Sequence, residues 1–392
     1  MSDHETEDGI DLFDTASEYS EEERQIRDTV RRFVDERVIP IIADHFENGT
    51  FPSELIPILA EMGLLGAQLP PEYGGSGLGA LAYGLVMQEL ERGDSSLRSF
   101  VTVQGTLSMY SIYSYGTEEQ KKKWLPRLAK AEAIGCFALT EPDHGSDPAG
   151  MVTTAREDSG AFVLNGSKMW ITNGAIADVA IVWAKLDGEV QGFLVEKGTP
   201  GFTALEQKHK LSLRASHTGE LYFNDCRIPL ENRLPKAVGL KAALSILNEA
   251  RFGISFGVVG AAMDWFETAL EYAKGRTQFD RPIAGFQIQQ ERFAEMATEI
   301  TKAQLLCIRL AQLKDTGTLR PAQVSLAKRN NCMQALQIAR MARQILGANG
   351  ISLEYPVMRH LCNLETVVTY EGTHDIHTLA IGREVTGISA FK

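Results

Sequence analysis

Cysteine is scarce in this chain, and long unbroken apolar runs are missing. The five cysteines, Cys136, Cys226, Cys307, Cys332 and Cys362, are odd in number and widely spaced among 392 residues, which argues against a disulfide framework or a structural zinc site. No stretch of about 18 uninterrupted apolar residues offers a membrane span. Basic charge is also in deficit: 39 Lys and Arg stand against 51 Asp and Glu, a formal net charge of -12. A general nucleic-acid surface is therefore not expected, although a local basic patch for an anionic cofactor is compatible with that balance. The opening residues, Met1-Ser2-Asp3-His4-Glu5-Thr6-Glu7-Asp8, are acidic where a secretory or mitochondrial signal is basic, so the expected location is cytoplasmic. With 44% hydrophobic residues over this length, the chain can bury large cores in two or three domains.

Pattern divides the chain into four. Residues 1–16 read as a mobile acidic tail. Over 17–135 the pattern is helical: Ser20-Glu21-Glu22-Glu23 is a capping-box signature, followed by Ile26, Val30, Phe33, Val34 and Val38 at helical spacing, with Pro40 bending or ending that helix. Further helices are predicted over 53–62, 81–92 and 104–115. Residues 136–237 turn to short apolar or alternating runs, with strands predicted at 179–186, 192–195 and 219–223 and hairpin turns at Asn165-Gly166, Asn173-Gly174 and Asp187-Gly188. Helical periodicity returns over 238–392, where Leu326, Met333, Leu336, Ile338, Met341 and Ile345 mark an apolar face, and the long helices suggest a bundle. Pro70 to Gly77 is Gly-rich but lacks the spacing of a dinucleotide fingerprint.

Two short segments carry chemistry. In Thr369-Tyr370-Glu371-Gly372-Thr373-His374-Asp375, a glutamate beside glycine and flanked by apolar chain can be desolvated and act on a weakly acidic C–H. In Thr140-Glu141-Pro142-Asp143-His144-Gly145-Ser146-Asp147, a Gly/Ser turn can present backbone N–H groups to an anion and hydroxyls to a heteroaromatic ring. Taken singly, each has an ordinary explanation as an exposed acid or a polar turn.

Together they resemble the acyl-CoA dehydrogenase family, and Tyr-Glu-Gly-Thr-His-Asp-Ile-His resembles its glutaryl-CoA dehydrogenase branch. The resemblance covers nearly all of 18–392 and implies an α+β fold: an N-terminal helical domain, a middle β-barrel or sandwich domain and a C-terminal four-helix bundle. It implies FAD as cofactor. Phe137, Leu139 and Thr140 are then expected at the isoalloxazine, Gly145 and Ser146 at the pyrophosphate, and Trp170 and Thr172 of the Trp-Ile-Thr-Asn segment over the ring and near N5. Arg276, Gln278 and Phe279, with Gln344 and Gly347, are similar to residues that reach the flavin of a neighbouring subunit, which implies a dimer or a homotetramer; Gln287 is also expected at the cofactor. Thr373 and Asp375 complete the flavin site, and no metal is implied.

Glu371 is the implied catalytic base. Other branches place the base on a helix just before an arginine; here that segment is Leu247-Asn248-Glu249-Ala250-Arg251, with Ala250 at the matching position and Glu249 as a nearby competitor. Arg98 is implied to hold the distal carboxylate of a dicarboxylic acyl chain, with Glu91 and Tyr370 beside it and Thr102, Ser146 and Arg251 also at the substrate. An unpaired buried guanidinium is costly, so such an arginine selects glutaryl-CoA over a plain fatty acyl chain. The expected reaction is oxidation to glutaconyl-CoA, decarboxylation to crotonyl-CoA, and electron transfer to an electron-transferring flavoprotein. An acyl-CoA oxidase, a short-chain acyl-CoA dehydrogenase and a non-catalytic acyl-CoA-binding protein remain alternatives.

Overall fold

The computed structural model describes residues 11–391. Residues 1–10 of the expected tail lie outside them; the rest of it is not loose. Asp11 accepts from the Thr15 hydroxyl and the Ala16 N–H, and Thr15 is buried at the start of a 3-10 turn, Thr15–Glu18.

The first layer holds α1 (Glu21–Phe33), α2 (Ile39–Asn48), α3 (Ile56–Glu61), α4 (Ala80–Gly93), α5 (Ser95–Val101), α6 (Tyr110–Tyr115) and α7 (Glu118–Ala129). Ser20 and Glu23 form the reciprocal capping box expected of the sequence. Pro40 plays a different part from the one expected. It sits in the first turn of α2, where its missing N–H costs nothing, and the break before it is a π-type turn at Val34–Val38. A second π-type stretch, Thr102–Met109, joins α5 to α6. From it Gln104 bonds the Leu128 and Ala133 carbonyls and the Gly135 N–H, tying the helical layer to the first strand.

The middle layer is one eight-stranded sheet of β1 (Gly135–Ala138), β2 (Thr154–Asp158), β3 (Ala161–Thr172), β4 (Val179–Leu186), β5 (Glu189–Glu196), β6 (Phe202–Glu206), β7 (Thr218–Pro229) and β8 (Arg233–Val238), ordered β6-β7-β3-β2-β4-β5-β8 with β1 parallel to β4. Asp187-Gly188 is the β4–β5 hairpin turn, both residues at positive φ. Asn165-Gly166 is not a turn. The strand continues through it with a register shift against β7, because Gly166 at φ 144° makes a bulge and the chain reverses earlier, at Ser159-Gly160. Asn173-Gly174 does turn the chain, but into β4, which does not pair with β3.

The C-terminal layer comprises α8 (Leu240–Gly275), α9 (Gln287–Asp315), α10 (Pro321–Leu346), α11 (Pro356–Val367) and α12 (His374–Thr386), with a small hairpin, β9 (Thr277–Gln278) and β10 (Arg281–Pro282), between α8 and α9. α8 is long and apolar enough to cross a membrane, yet 67% of its most apolar window is buried inside the fold, as for a core helix. Leu326 departs from the predicted apolar face of α10 and is exposed, while Leu336, Ile338 and Ile345 are buried.

α4 packs tightly on α8. A Cβ on Gly260 would stand 1.9 Å from the Gln88 carbonyl, and one on Gly257 would stand 2.0 Å from Glu91 Oε2, so glycine is what allows the approach. Phe252 and Phe256, both buried, fill the same seam; full burial of such a ring is worth roughly 1.5–3 kcal/mol.

Candidate active site

Two helices and one loop converge behind Glu371. α8 brings Arg251, whose Nε donates to the Glu371 carbonyl at 2.7 Å and whose Nη1 donates to Asn248 Oδ1 at 3.0 Å. α10 brings Lys328, which the sequence reading missed. Its Nζ donates to the carbonyls of Tyr370 and, at 2.7 Å, Gly372. Glu371 itself lies in the left-handed region at φ 54°. Its Oε2 is buried with no hydrogen-bond partner among the described residues. Burial pushes the Glu371 carboxyl above its ordinary range, against the opposing pull of Lys328, Arg98 and Arg251. A strained, unpartnered carboxylate of this kind is suited to taking a proton.

Glu249 is differently placed. Its carboxylate is engaged by Lys314, whereas the neighbouring Ala250 is buried in the core. Of the two acids, only Glu371 has a buried carboxylate oxygen without a partner among the described residues.

Beside this loop stands a buried polar knot. Arg98 Nε donates to Glu91 Oε2 at 2.6 Å, Nη2 donates to Glu91 Oε1 at 3.4 Å and to the Tyr370 hydroxyl, and Ser99 Oγ lies 3.1 Å from that hydroxyl. Burial works against the Arg98 charge, but Glu91 and Tyr370 outweigh it and keep the guanidinium protonated. The sequence argument treated Arg98 as needing a substrate anion; the fold already supplies one in Glu91. Nη1 has no partner among the described residues and is the donor left for a further acceptor. Thr102 is buried one turn beyond, its hydroxyl 3.7 Å from Met87 Sδ. Asp94 caps α5 and is itself held by Arg359 and Asn363 of α11, so the helix that carries Arg98 is anchored in the C-terminal layer.

The residues expected at a flavin fall into two separate groups. Phe137 and Leu139 are core residues, Phe137 packing 5.8 Å from Trp183, so they can meet a ligand chiefly through backbone. The Met169 N–H bonds the Thr140 carbonyl at 2.9 Å and sets β3 alongside. There Trp170 is 56% exposed at φ 63°, with Thr172 at the strand end. The hydroxyls of Thr140, Ser146 and Thr172 engage no partner among the described residues, and a Cβ on Gly145 would meet nothing within 4 Å. Lys168 and Glu141, a buried pair at 2.9 Å, brace this turn: Lys168 also bonds the Leu139 carbonyl, and Glu141 accepts from the Val152 and Thr153 N–H groups. Open hydroxyls and turn amides beside an exposed indole fit an isoalloxazine with its pyrophosphate. Thr373, expected with them, uses its hydroxyl to cap α12 at Ile376, and Asp375 is exposed in the same first turn.

Arg276, Gln278, Phe279, Gln287, Gln344 and Gly347 form the second group, all exposed and clustered at the far end of the bundle. Asn349 bonds the Tyr272 hydroxyl and holds the ends of α8 and α10 together there. Arg276 follows Arg251 along α8 by a length of helix of roughly 35 Å. Phe137 and Leu139 share a core cluster with Ala250, beside Arg251, so that length of α8 separates the two groups within one chain. Phe279 and Asp280, both at positive φ, form the two-residue turn of the β9–β10 hairpin. Aspartate tolerates that conformation, and Phe279 is left 88% exposed.

Ser99, Gly257, Lys328 and His377 are the residues at the site to which the sequence reading gave no role. Lys328 had a legible signal: it falls on the inward stripe of α10 with Val324, Asn331 and Ala335, where an unexplained lysine is out of place.

Comparison with known proteins agrees in every domain. Family models described as acyl-CoA dehydrogenase N-terminal, middle and C-terminal domains match residues 20–132, 136–226 and 237–386. A glutaryl-CoA dehydrogenase from Mycobacterium smegmatis, solved in complex with FADH2, superposes with a TM-score of 0.96 at 54% identity, covering 97% of this chain and 98% of that one. A glutaryl-coenzyme A dehydrogenase in complex with glutaryl-CoA gives 0.90 at 35% identity, covering 94% and 96%. The mitochondrial short-chain specific acyl-CoA dehydrogenase of Rattus norvegicus is 36% identical over 370 residues, 93% of this chain and 90% of that protein. The chain belongs to the acyl-CoA dehydrogenase family.

Proposed function

We propose that this protein is an FAD-dependent dehydrogenase of glutaryl-CoA that also decarboxylates its product, releasing crotonyl-CoA and carbon dioxide. The observation that carries the reading is the Arg98–Glu91–Tyr370 knot set against an unpartnered Glu371 carboxylate. Glu371 removes the α-proton of the thioester. FAD, when bound, supplies the acceptor for the hydride lost from Cβ. Arg98 takes the distal carboxylate through its open Nη1 while Glu91 balances the charge, so a dicarboxylic chain is preferred. Breaking the Cγ–carboxylate bond leaves an electron pair delocalised into the thioester, and protonation at the γ-carbon completes crotonyl-CoA. The similarity to a glutaryl-CoA dehydrogenase at 54% identity supports this substrate.

Electron-transferring flavoprotein is the proposed acceptor, the cytoplasm the proposed location, and a homotetramer the proposed assembly, in which Arg276, Gln278, Phe279, Gln287, Gln344 and Gly347 reach a partner's flavin. A short-chain acyl-CoA dehydrogenase is the second reading, favoured by curated relatives such as the rat enzyme. Anaerobic reduction of the flavin by a panel of acyl-CoAs, with product mass measured, tests both. Rapid reduction by glutaryl-CoA with a crotonyl-CoA product supports the first; preference for butyryl-CoA would replace it with the second. Hydrogen peroxide formation in air would mark an oxidase.

A further inference from the structure

The base loop is held in a conformation its residues resist. The left-handed region is unfavourable for a residue with a Cβ, and Glu371 occupies it at φ 54°, followed by Gly372 at φ 92°. Three successive carbonyls of this turn are each met by a cationic donor: Arg251 bonds that of Glu371, and Lys328 alone bonds those of Tyr370 and Gly372. Lys328 is 1% exposed and comes from α10, a different helix from those that carry Arg98, Glu91 and Arg251.

Resting on the assignment of Glu371 as the base, we infer that Lys328 is a positioning residue for proton abstraction, its ammonium bridging the carbonyls on either side of Glu371 and so fixing where the carboxylate stands. An ammonium has three donors and no acceptor, so it can serve both carbonyls at once. Removing it takes the Lys328 donor from two half-buried carbonyls on the very turn that aims the base. The same charge acts through space. Glu371 is faced by Lys328 from α10, Arg98 from α5, Arg251 from α8, His377 from α12 and Tyr83 from α4; Lys328 leads the cations that draw the Glu371 carboxyl back down against burial. Burial pushes Lys328 itself down to about 8, with Cys332 and Glu371 opposing that shift and Arg251 and Arg98 adding to it. Even as a neutral amine it keeps two N–H donors for the two carbonyls, but it then loses its pull on Glu371.

The test uses the FAD-loaded enzyme and three variants, Lys328→Met, Lys328→Gln and Glu371→Gln. Flavin reduction by glutaryl-CoA is followed from pH 5 to 9, and acyl-CoA binding is read separately from the flavin spectrum. Lys328→Met is expected to reduce flavin about 10²-fold more slowly, the scale of a misplaced catalytic group, with acyl-CoA affinity retained. The acid limb of its rate profile should move to higher pH. A folded Lys328→Met with the wild-type rate, or with a slower rate and an unmoved limb, would overturn the inference. Should that variant not fold, Lys328→Gln keeps two N–H donors and drops the charge: a limb moved to higher pH supports the inference and an unmoved one overturns it. Glu371→Gln separates the two readings. If it stays active, the base assignment falls; if it is inactive beside a normal Lys328→Met, the clamp alone falls.

Discussion

Gly257 of α8 lies against Glu91 of α4 so closely that a Cβ on it would stand 2.0 Å from Oε2 and 3.2 Å from Arg98 Nε. The ion pair that confers the proposed substrate preference is therefore seated by an absent side chain on a third helix. Gly257→Ala is expected to displace the pair, raising KM for glutaryl-CoA by at least about tenfold, the equivalent of one charge-assisted bond of roughly 1.5 kcal/mol, while butyryl-CoA is affected less. Steady-state kinetics on both substrates check this; equal losses on the two would show general damage to the α4–α8 seam.

Arg98→Ala should act in the same direction and more strongly. It removes the open Nη1 and leaves Glu91 buried without its cation, so some stability is lost as well, on the order of 3–5 kcal/mol for an uncompensated buried charge. Butyryl-CoA turnover at matched folded fraction is the control. If glutaryl-CoA and butyryl-CoA suffer alike, Arg98 is structural.

Glu371→Gln should retain FAD and bind acyl-CoA, since the amide is nearly isosteric, while turnover falls by at least about 10²-fold. For the wild type, the base must be ionised to act. Burial raises its carboxyl above the usual range, so activity should climb with pH through a limb lying above the ordinary glutamate value. A limb at or below that value would count against Glu371.

Arg276→Ala and Gln344→Ala are expected to lose FAD and subunit association together, because both residues sit in the exposed cluster at the end of the bundle away from Glu371. Absorbance of the bound flavin and sedimentation velocity report the two losses. Variants that remain flavin-replete and fully associated would remove the cross-subunit assignment.

His377 is buried at the base loop, and burial, aided by Lys328 and Arg251, lowers its pKa from 6.5 to about 3. Between those values the unfolded chain binds a proton that the native state refuses. The contribution is thus fully present above pH 6.5 and lost as pH falls, with a slope of about 1.4 kcal/mol per pH unit. Denaturant unfolding of wild type and His377→Gln from pH 7 to 5 should show the steeper decline in the wild type. Parallel curves would place the His377 charge elsewhere.

How much of this was legible depended on the range of the interaction. The Ser20 capping box, the Asp187-Gly188 turn and strand 179–186 are settled by residues adjacent in sequence, and they stand as predicted. Asn165-Gly166 carried the same turn signal and became a bulge, because pairing of β3 with β7 across the sheet outweighed the local preference. Pro40 likewise marked a boundary, but it opened α2 where it was expected to bend or end the preceding helix.

The sequence by itself determined the order of helical and β segments, the glutamate beside a glycine, and the polar turn after Cys136, since these rest on periodicity and on the chemistry of neighbouring residues. Only the tertiary structure decided that Glu91 already neutralises Arg98, that Glu249 is taken by Lys314, and that Lys328 reaches the loop carrying Glu371. The Glu249 and Lys328 contacts join segments 65 and 44 residues apart, and the Glu91–Arg98 pair forms across the bend between two successive helices. The inward stripe of α10 marks Lys328 as buried, but which groups these charges pair with follows from packing, which no local pattern encodes.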